Sequence, residues 1–223
     1  MITVIYVILA ALMGYFWGAI PFGFLFVKWT KNVDLRDVGS GRTGGTNSMR
    51  AAGPVVGAIT GVSDVLKGAC AIWFIRWLFG GHFGEALPWI EILAGAMTIV
   101  GHNWSIFLKF RGGAGTGPNV GWATAIWWPM FPIGIVVVVG MLLATGMASV
   151  ASLTMAIVIP IVFAIRYFTG ADATLAYVIG GVITAAIVTW SLRPNIKRLL
   201  DGTERVVGPA AKRRQLKANR AGS

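Results

Sequence analysis

Residues 112–165 read GGAGTGPNVGWATAIWWPMFPIGIVVVVGMLLATGMASVASLTMAIVIPIVFAI and contain no charged side chain. A helix that crosses a bilayer needs about 20 consecutive apolar residues. This run is long enough for two such helices, and two further uncharged runs cover residues 1–27 and 173–192. The sequence therefore predicts an all-α polytopic membrane protein.

The composition agrees with that prediction. A chain of 223 residues could form one or two soluble domains, but 56% of this chain is hydrophobic, 12% is charged and its mean hydropathy is +0.74. Residues 1–27 lack a basic n-region and a small-residue cleavage site, which favours a retained helix over a signal peptide. We predict one membrane domain at 1–208 and a basic C-terminal tail at 209–223.

The uncharged runs and the turn signals between them predict seven membrane helices. They cover about 2–27, 54–78, 89–108, 115–127 and 131–145, then a helix that ends near 168 and a last one at about 173–192, with connections at 80–88 and 146–152. An odd number of crossings places the two termini on opposite sides of the membrane.

The net charge of +11 raises the question of nucleic acid, but the positions of the cations argue for a membrane. Sixteen of the 19 basic residues fall within 28–50, 109–111 and 193–220, which seven crossings bring to one face. Such an excess marks the cytoplasmic face by the positive-inside rule. We therefore expect an outside N-terminus, a cytoplasmic C-terminus, contact with membrane lipids and no nucleic-acid partner.

Two glycine-rich stretches interrupt the apolar sequence, VGSGRTGGTNSMRAAG at 38–53 and RGGAGTG at 111–117. Glycine lets backbone N–H groups approach a ligand, and hydroxyls, amides and arginines supply donors and charge. Both stretches predict binding of phosphate or another anion. The second is not a Walker A motif, because it lacks the Gly-Lys-Ser/Thr ending.

A few polar residues lie within or beside the predicted helices. Asp64 and Lys67 share one helix face, either as a structural pair or at the edge of a site. His102 is either a packing histidine or a general base, and with no Asp, Glu or Cys beside it in the sequence it is a poor metal ligand. Asn195 is placed to orient a substrate, or it belongs to a plain helix end with snorkelling cations. We expect no metal and no cofactor.

Taken together, the motifs resemble those of the bacterial acyl-phosphate-dependent glycerol-3-phosphate acyltransferases, over nearly the whole chain. The resemblance implies a seven-helix enzyme of the bacterial inner membrane with its active face in the cytoplasm. Such an enzyme moves a fatty acyl group from acyl phosphate to the 1-hydroxyl of glycerol 3-phosphate, without a metal, and gives lysophosphatidic acid. The matching segments are Val33–Gly53, DVLKG at 64–68, GHNWSIFLKFRGGAGTG at 101–117, Ser149–Ser152 and RPNIKRLLDGTE at 193–204.

The resemblance also assigns roles to residues. It implies catalytic roles for Ser40 and Asn195, with Asn195 positioning the attacking hydroxyl, and it places Asp64, Lys67 and His102 at the edge of the site. The residues expected to bind substrate or phosphate are Gly39, Gly41, Arg42, Thr46, Asn47, Arg50, Gly112, Gly113, Gly115 and Ser152.

This chain departs from the family pattern at functional positions. The family has a lysine where this chain has Ala114, a histidine where it has Leu192 and an asparagine where it has Arg42. We hypothesise that Arg42 replaces the phosphate-binding lysine from the facing loop. The alternative is a catalytically diverged paralogue that acts as a lipid-binding or structural subunit of a membrane complex. One open pocket lined by Ser40, Arg50, Gly113 and Asn195 would favour the enzyme, and a filled pocket would favour the subunit.

Overall fold

The computed structural model describes residues 2–172, 174–208 and 210–211, and within these ranges every regular element is a helix. The predicted all-α class is thereby confirmed, whereas the predicted tail at 209–223 lies outside the described residues apart from 210 and 211. The α helices are α1 Ile2–Ala19, α2 Phe22–Lys31, α3 Gly45–Ala52, α4 Pro54–Phe83, α5 Leu87–Asn103, α6 Thr116–Ile126, α7 Met130–Thr145, α8 Ala148–Phe168, α9 Ala176–Ser191 and α10 Arg193–Leu200.

The first predicted helix is broken in two at Pro21. Proline has no backbone N–H and cannot continue the hydrogen-bond ladder of a helix. The carbonyl of Ile20, at the break, instead accepts a hydrogen bond from Lys67 Nζ at 3.0 Å. The first helix, predicted over 2–27 with a loosening near Gly18, Pro21 and Gly23, is thus two helices, α1 and α2, which meet at a joint that a buried lysine of α4 stabilises.

Three other predicted loops are shorter than expected. The second half of the first glycine stretch is the helix α3, which ends at Gly53, where a φ of +92° turns the chain into α4. The predicted connection at 80–88 is helical up to Phe83, because Phe79 and Phe83 pack into a buried apolar cluster with Ile90. The connection predicted over 146–152 is also shorter, since α8 already begins at Ala148.

Glycines bring pairs of helices into close contact. Gly14 and Gly18 of α1 face the backbone of Ala94 and Thr98 in α5, where a Cβ would have no room. Gly121 of α6 meets the backbone of α4 in the same way. Small residues at such spacing are how membrane helices approach closely when no hydrophobic force drives them together.

The short helix α6 lies at the centre of the bundle. Its Trp122 is fully buried and stacks on Phe163 of α8, with ring centroids 5.4 Å apart. Ile72 of α4, Ile99 of α5 and the α8 side chains beside Phe163 complete this core. The core holds the start of α6, and with it the second glycine stretch, at a fixed position.

A polar cluster joins four helices at the end of the bundle away from the glycine stretches. The fully buried Glu91 of α5 accepts hydrogen bonds from Arg76 of α4 and from Tyr177 of α9, the latter at 2.8 Å. Arg76 also donates to the carbonyl of Ala125 in α6 at 2.9 Å. A buried carboxylate is costly unless it is paired, and this one has both a cation and a hydroxyl.

In the part of the chain that the structure describes, three stretches of helix are long and apolar enough to cross a membrane, namely Thr3–Lys31, Pro54–Leu108 and Ala148–Phe168. The pair α9 and α10, bent by 65° relative to each other, would add a fourth if it counts as one span. The stretch Pro54–Leu108 contains both α4 and α5, and α7 is a shorter apolar helix. Seven crossings therefore stay a prediction.

Candidate active site

Four polar segments from distant parts of the sequence meet at one end of the bundle. The first glycine stretch contacts the second through Arg42, which donates to the carbonyl of Gly113. The segment after α10 joins the turn between α7 and α8, because the N–H of Val207 donates to the carbonyl of Gly146 at 2.8 Å. The same segment reaches the first glycine stretch through a hydrogen bond from Arg205 to the carbonyl of Gly39.

The first glycine stretch is folded around the side chain of Asn47, which is buried. Its Nδ2 donates to the carbonyls of Val38 and Arg42, both at 2.9 Å. Its Oδ1 accepts from the N–H of Ser40 at 3.1 Å and from Arg50 Nη1 at 2.9 Å. Asn47 therefore organises the loop that carries Ser40 and Arg50.

Gly39 and Gly41 supply the backbone shape that this folding needs. Their φ angles are +54° and +70°, a conformation that residues with a side chain rarely adopt. A Cβ on Gly39 would also meet the side chains of Asn47 and Arg50 at 2.5 Å. These two glycines shape the site rather than line it.

Arg42 joins three elements of the site. Its Nη1 donates to the carbonyl of Gly113 at 2.8 Å and to Ser191 Oγ at 3.1 Å. Its Nη2 donates to the carbonyl of Ser191 at 2.6 Å and to Asn195 Oδ1 at 3.0 Å. Burial and the positive charge of Arg198 lower the pKa of Arg42. These contacts direct the end of the guanidinium onto protein acceptors.

Glu204 fixes the other side of Asn195. Its Oε1 accepts from Asn195 Nδ2 at 2.9 Å and from Ser149 Oγ at 2.8 Å, and its Oε2 accepts from Arg198 Nε at 2.9 Å. Burial raises the pKa of Glu204, but these hydrogen bonds outweigh it and the net shift is downward. The sequence reasoning gave Glu204 no role, although a carboxylate between Arg198 and Arg205 in a basic segment was a usable signal.

The second glycine stretch packs tightly against the end of α5. The N–H groups of Gly112 and Gly113 donate to the carbonyls of Asn103 and His102, at 3.1 and 3.0 Å. A Cβ on Gly113 would collide with the ring of His102. These two glycines therefore allow close packing, and their N–H groups have protein partners rather than a phosphate. Gly115, with a φ of +86°, starts α6.

Asp64, Lys67 and His102 form a buried cluster between α4 and α5. Lys67 Nζ lies 3.1 Å from Asp64 Oδ1 and 2.8 Å from His102 Nδ1. An ammonium only donates, so His102 Nδ1 is the acceptor and the imidazole proton lies on Nε2, which faces Gly113. No three His, Cys, Asp or Glu side chains are grouped to hold a metal ion within 2–172, 174–208 and 210–211.

Two cavities meet at the convergence of the four polar segments. The larger, of about 500 Å³, is mostly apolar and runs between α4, α6, α7 and α8. The smaller, of about 60 Å³, is lined mainly by residues with polar side chains, among them Arg50, Asn195, Glu204 and Arg205. The residues that line both cavities are Ser40, Arg42, Thr46, Asn47, Ala114, Ala148 and Ser152. The two cavities are therefore adjacent, one with basic and polar residues in its lining and the other mostly apolar.

The structure brings most of the predicted site residues to this double cavity. Those in its lining are Ser40, Arg42, Thr46, Asn47, Arg50, Asp64, His102, Gly115, Ser152 and Asn195. Five predicted residues, Gly39, Gly41, Lys67, Gly112 and Gly113, lie behind the lining. Ser149, Ser191, Glu204 and Arg205 are contributors that the sequence reasoning missed.

This fold and site define an integral membrane protein that can hold an anion next to a long apolar group. The family model for glycerol-3-phosphate acyltransferases matches residues 8–202, so the chain belongs to that family. It is 38% identical over 199 residues to a glycerol-3-phosphate acyltransferase of Gloeobacter violaceus, covering 88% of this chain and 93% of the relative. It is also 38% identical to one from Thermotoga petrophila, with 88% and 94% covered.

Solved structures agree with the sequence comparison. The fold is similar to crystal structures of PlsY, described as an integral membrane glycerol 3-phosphate acyltransferase. For the glycerol 3-phosphate form the TM-score is 0.75 at 29% identity, covering 91% of this chain and 96% of that one. For the lysophosphatidic acid form the TM-score is 0.74 at 28% identity, covering 91% and 95%.

Proposed function

We propose that this chain transfers a fatty acyl group from acyl phosphate to the 1-hydroxyl of glycerol 3-phosphate, giving lysophosphatidic acid and phosphate. The observation that carries this proposal is a pair of adjoining cavities with shared lining residues, one lined by basic and polar residues and the other mostly apolar. An acyl phosphate has the same two-part chemistry, and the acceptor brings a second phosphate. The relatives are named for this acyltransferase activity, and PlsY has forms with glycerol 3-phosphate and with lysophosphatidic acid.

The polar cavity provides the place for phosphate. Arg50 and Arg205 both line it, and partial burial together with the charge of Arg205 lowers the pKa of Arg50. Two cations around one small cavity repel each other, and an anion between them removes that repulsion. The glycerol 3-phosphate headgroup therefore binds beside Arg50, with Ser40 and Thr46 as hydroxyl donors.

The apolar cavity provides the place for the acyl chain. Phe131, Ile135 and Leu142 of α7 form one wall, and residues of α4 and α8 form the others. Ala114 and Ser152 lie where the two cavities meet. With the chain along α7, the acyl carbonyl lies at that junction, next to the acceptor's hydroxyl.

Asn195 lies beside the reacting groups in a fixed orientation. Arg42 donates to its Oδ1 and its Nδ2 donates to Glu204, which leaves the second lone pair of Oδ1 for the substrate hydroxyl. The hydroxyl oxygen then forms the new ester bond as the bond from the carbonyl carbon to the phosphate oxygen breaks. The hydroxyl proton passes to the departing phosphate, so positioning and electrostatic stabilisation provide most of the catalysis.

We also propose an orientation of the protein in the membrane. The chain is one domain over 1–208 that crosses the bacterial inner membrane seven times, with the N-terminus outside and the site on the cytoplasmic face. The cationic segments that gather around the site support this orientation through the positive-inside rule. Glycerol 3-phosphate, a charged and water-soluble molecule, then reaches the site from the cytoplasm.

The lining of the site supports an enzyme over a structural subunit. Ser40, Arg50 and Asn195 line one cavity that side chains do not fill. Gly113 lies just behind it, and its neighbour Ala114 is in the lining. A retained open cavity with oriented polar groups has no evident use in a purely structural protein.

The test is acyl transfer by the purified protein from palmitoyl phosphate to labelled glycerol 3-phosphate. Asn195→Ala is expected to lower kcat by about 10²-fold or more, because a positioned hydrogen-bonding group typically contributes that much. Lys31→Ala, which removes an exposed cation outside the site, serves as the control and retains the activity of the unaltered protein. No lysophosphatidic acid from well-folded protein would refute the proposed reaction.

A further inference from the structure

Arg42 comes from the first glycine stretch but makes its contacts elsewhere. Its acceptors lie 71 residues away at Gly113, 149 away at Ser191 and 153 away at Asn195. One guanidinium thus connects the second glycine stretch, the end of α9 and the start of α10. No other hydrogen bond in the described part of the chain joins the first glycine stretch to Asn195.

The Nη groups of Arg42 are not available to a phosphate ligand. The four N–H bonds of its two Nη atoms point at four protein acceptors, at 2.6 to 3.1 Å. Binding a phosphate through these groups would break contacts that hold Asn195 and Gly113 in place. Arg50 and Arg205, which also line the polar cavity, donate instead to Asn47 Oδ1 and to the carbonyl of Gly39.

We propose that Arg42 is a positioning residue, which fixes Asn195 and the Gly113–Ala114 segment for acyl transfer and does not bind the substrate phosphate. The inference rests on the proposed function. It goes beyond that function by assigning phosphate binding to Arg50 and the positioning of Asn195 to Arg42. It also replaces the hypothesis that Arg42 stands in for a phosphate-binding lysine.

The planar fork of arginine suits this role. A guanidinium presents several donors in a fixed plane, so it can bridge acceptors on three backbone segments, whereas an ammonium is a compact point charge on a flexible stem. The contacts also fall beside two of the positions where this chain departs from the family pattern. Gly113 precedes Ala114, and Ser191 precedes Leu192. Arg42 therefore forms hydrogen bonds to the residue just before each of these two replacements.

Steady-state kinetics of Arg42→Lys and Arg42→Gln separate the two roles. If Arg42 positions, both variants lose kcat by about 10-fold or more, while KM for glycerol 3-phosphate changes by less than about 3-fold. If it binds phosphate, Arg42→Lys keeps most of the activity and Arg42→Gln raises KM instead. Arg193→Gln is the matched control, since Arg193 is on α10 near Asn195 but is exposed and stacks on Trp190 at 4.5 Å.

Amide hydrogen exchange tests the same contacts without any substrate. Arg42→Gln is expected to speed exchange in residues 111–117 and 189–196, and Arg193→Gln is expected to leave 111–117 unchanged. Unchanged exchange in both segments, or a rise in KM with kcat retained, would overturn the positioning role. If the unaltered protein transfers no acyl group, the proposed function fails, while the exchange result still decides whether Arg42 holds the two segments together.

Discussion

Glu204 is a buried carboxylate paired with Arg198, and its contacts make the site sensitive to acid. Its hydrogen bonds to Asn195, Ser149 and Arg198 lower its pKa from the ordinary value of 4.5. A carboxylate whose pKa is lower in the folded state stabilises the fold above its unfolded pKa. That stabilisation is lost as the pH falls through the folded-state pKa, because the protonated group no longer accepts from all three partners.

We therefore expect transferase activity to be lost only below pH 4.5, as the pH falls through the lowered pKa at which Glu204 takes up a proton and releases Asn195. Glu204→Gln keeps the shape but removes the charge, so it should show low activity already at neutral pH and a weaker pH dependence in the acid range. Initial rates from pH 7 to pH 4, with Glu85→Gln as an exposed control, measure this. A Glu204→Gln profile parallel to that of the unaltered protein would contradict the expectation.

Residue types allowed some of the site to be predicted, and three-dimensional contacts decided the rest. Hydroxyl and basic side chains between glycines suggested Ser40 and Arg50, and both line the polar cavity. The same pattern suggested Asn47, whose amide is instead taken up by the loop's own backbone. The partners of Arg42 lie 71 to 153 residues away, and no local pattern encodes contacts at that separation.

At the level of helices, glycine decides how closely neighbours approach. Gly18 of α1 faces the backbone of Thr98, whereas Gly140 of α7 has open space where a Cβ would be. Both lie inside apolar helices, so the intrinsic gain in helix propensity on substitution by alanine is the same for both. Only the position against α5 makes Gly18 intolerant of a side chain.

Gly18→Ala is thus expected to destabilise the protein by about 1–3 kcal/mol, because the added methyl forces α1 away from α5. Gly140→Ala, the matched control, should be neutral or stabilising by about 0.5–1 kcal/mol, since alanine is the better helix former. Thermal unfolding in detergent compares the two variants. Equal midpoints would mean that the contact between α1 and α5 does not depend on close backbone packing.

Helices within long apolar runs were predicted well from the sequence. Helices within short polar or proline-containing segments were predicted poorly. The predicted ends of the helix at 131–145 differ from those of α7 by one residue. The helix α3 was missed because its sequence, GTNSMRAA, has the small and polar residues of a loop. Its packing against α2 and α4, rather than its own propensity, makes it helical.

Across the whole molecule, polar groups collect at two opposite ends of an apolar bundle. The site gathers at one end, and the cluster of Arg76, Glu91 and Tyr177 ties helices at the other. Trp127 belongs to the second end, where Arg166 of α8 stacks on its ring at 4.2 Å. The helix α6 therefore connects the site end of the bundle to the opposite end. With 11 residues, it is the shortest of the helices proposed to cross the membrane separately.

Single-cysteine labelling can test the seven proposed crossings, and the crossing by the short helix α6 is the most important one to test. At about 1.5 Å per residue, α6 spans about 16 Å, roughly half the hydrocarbon core. In a Cys70→Ser background, we expect Asp37→Cys and Asp201→Cys to react with a membrane-impermeant thiol reagent from the cytoplasmic side. Glu85→Cys and Trp128→Cys should react from the opposite side, and all four positions are exposed. If Trp128→Cys reacts from the cytoplasmic side instead, α6 and α7 do not cross separately, and the number of crossings falls to five with the N-terminus still outside.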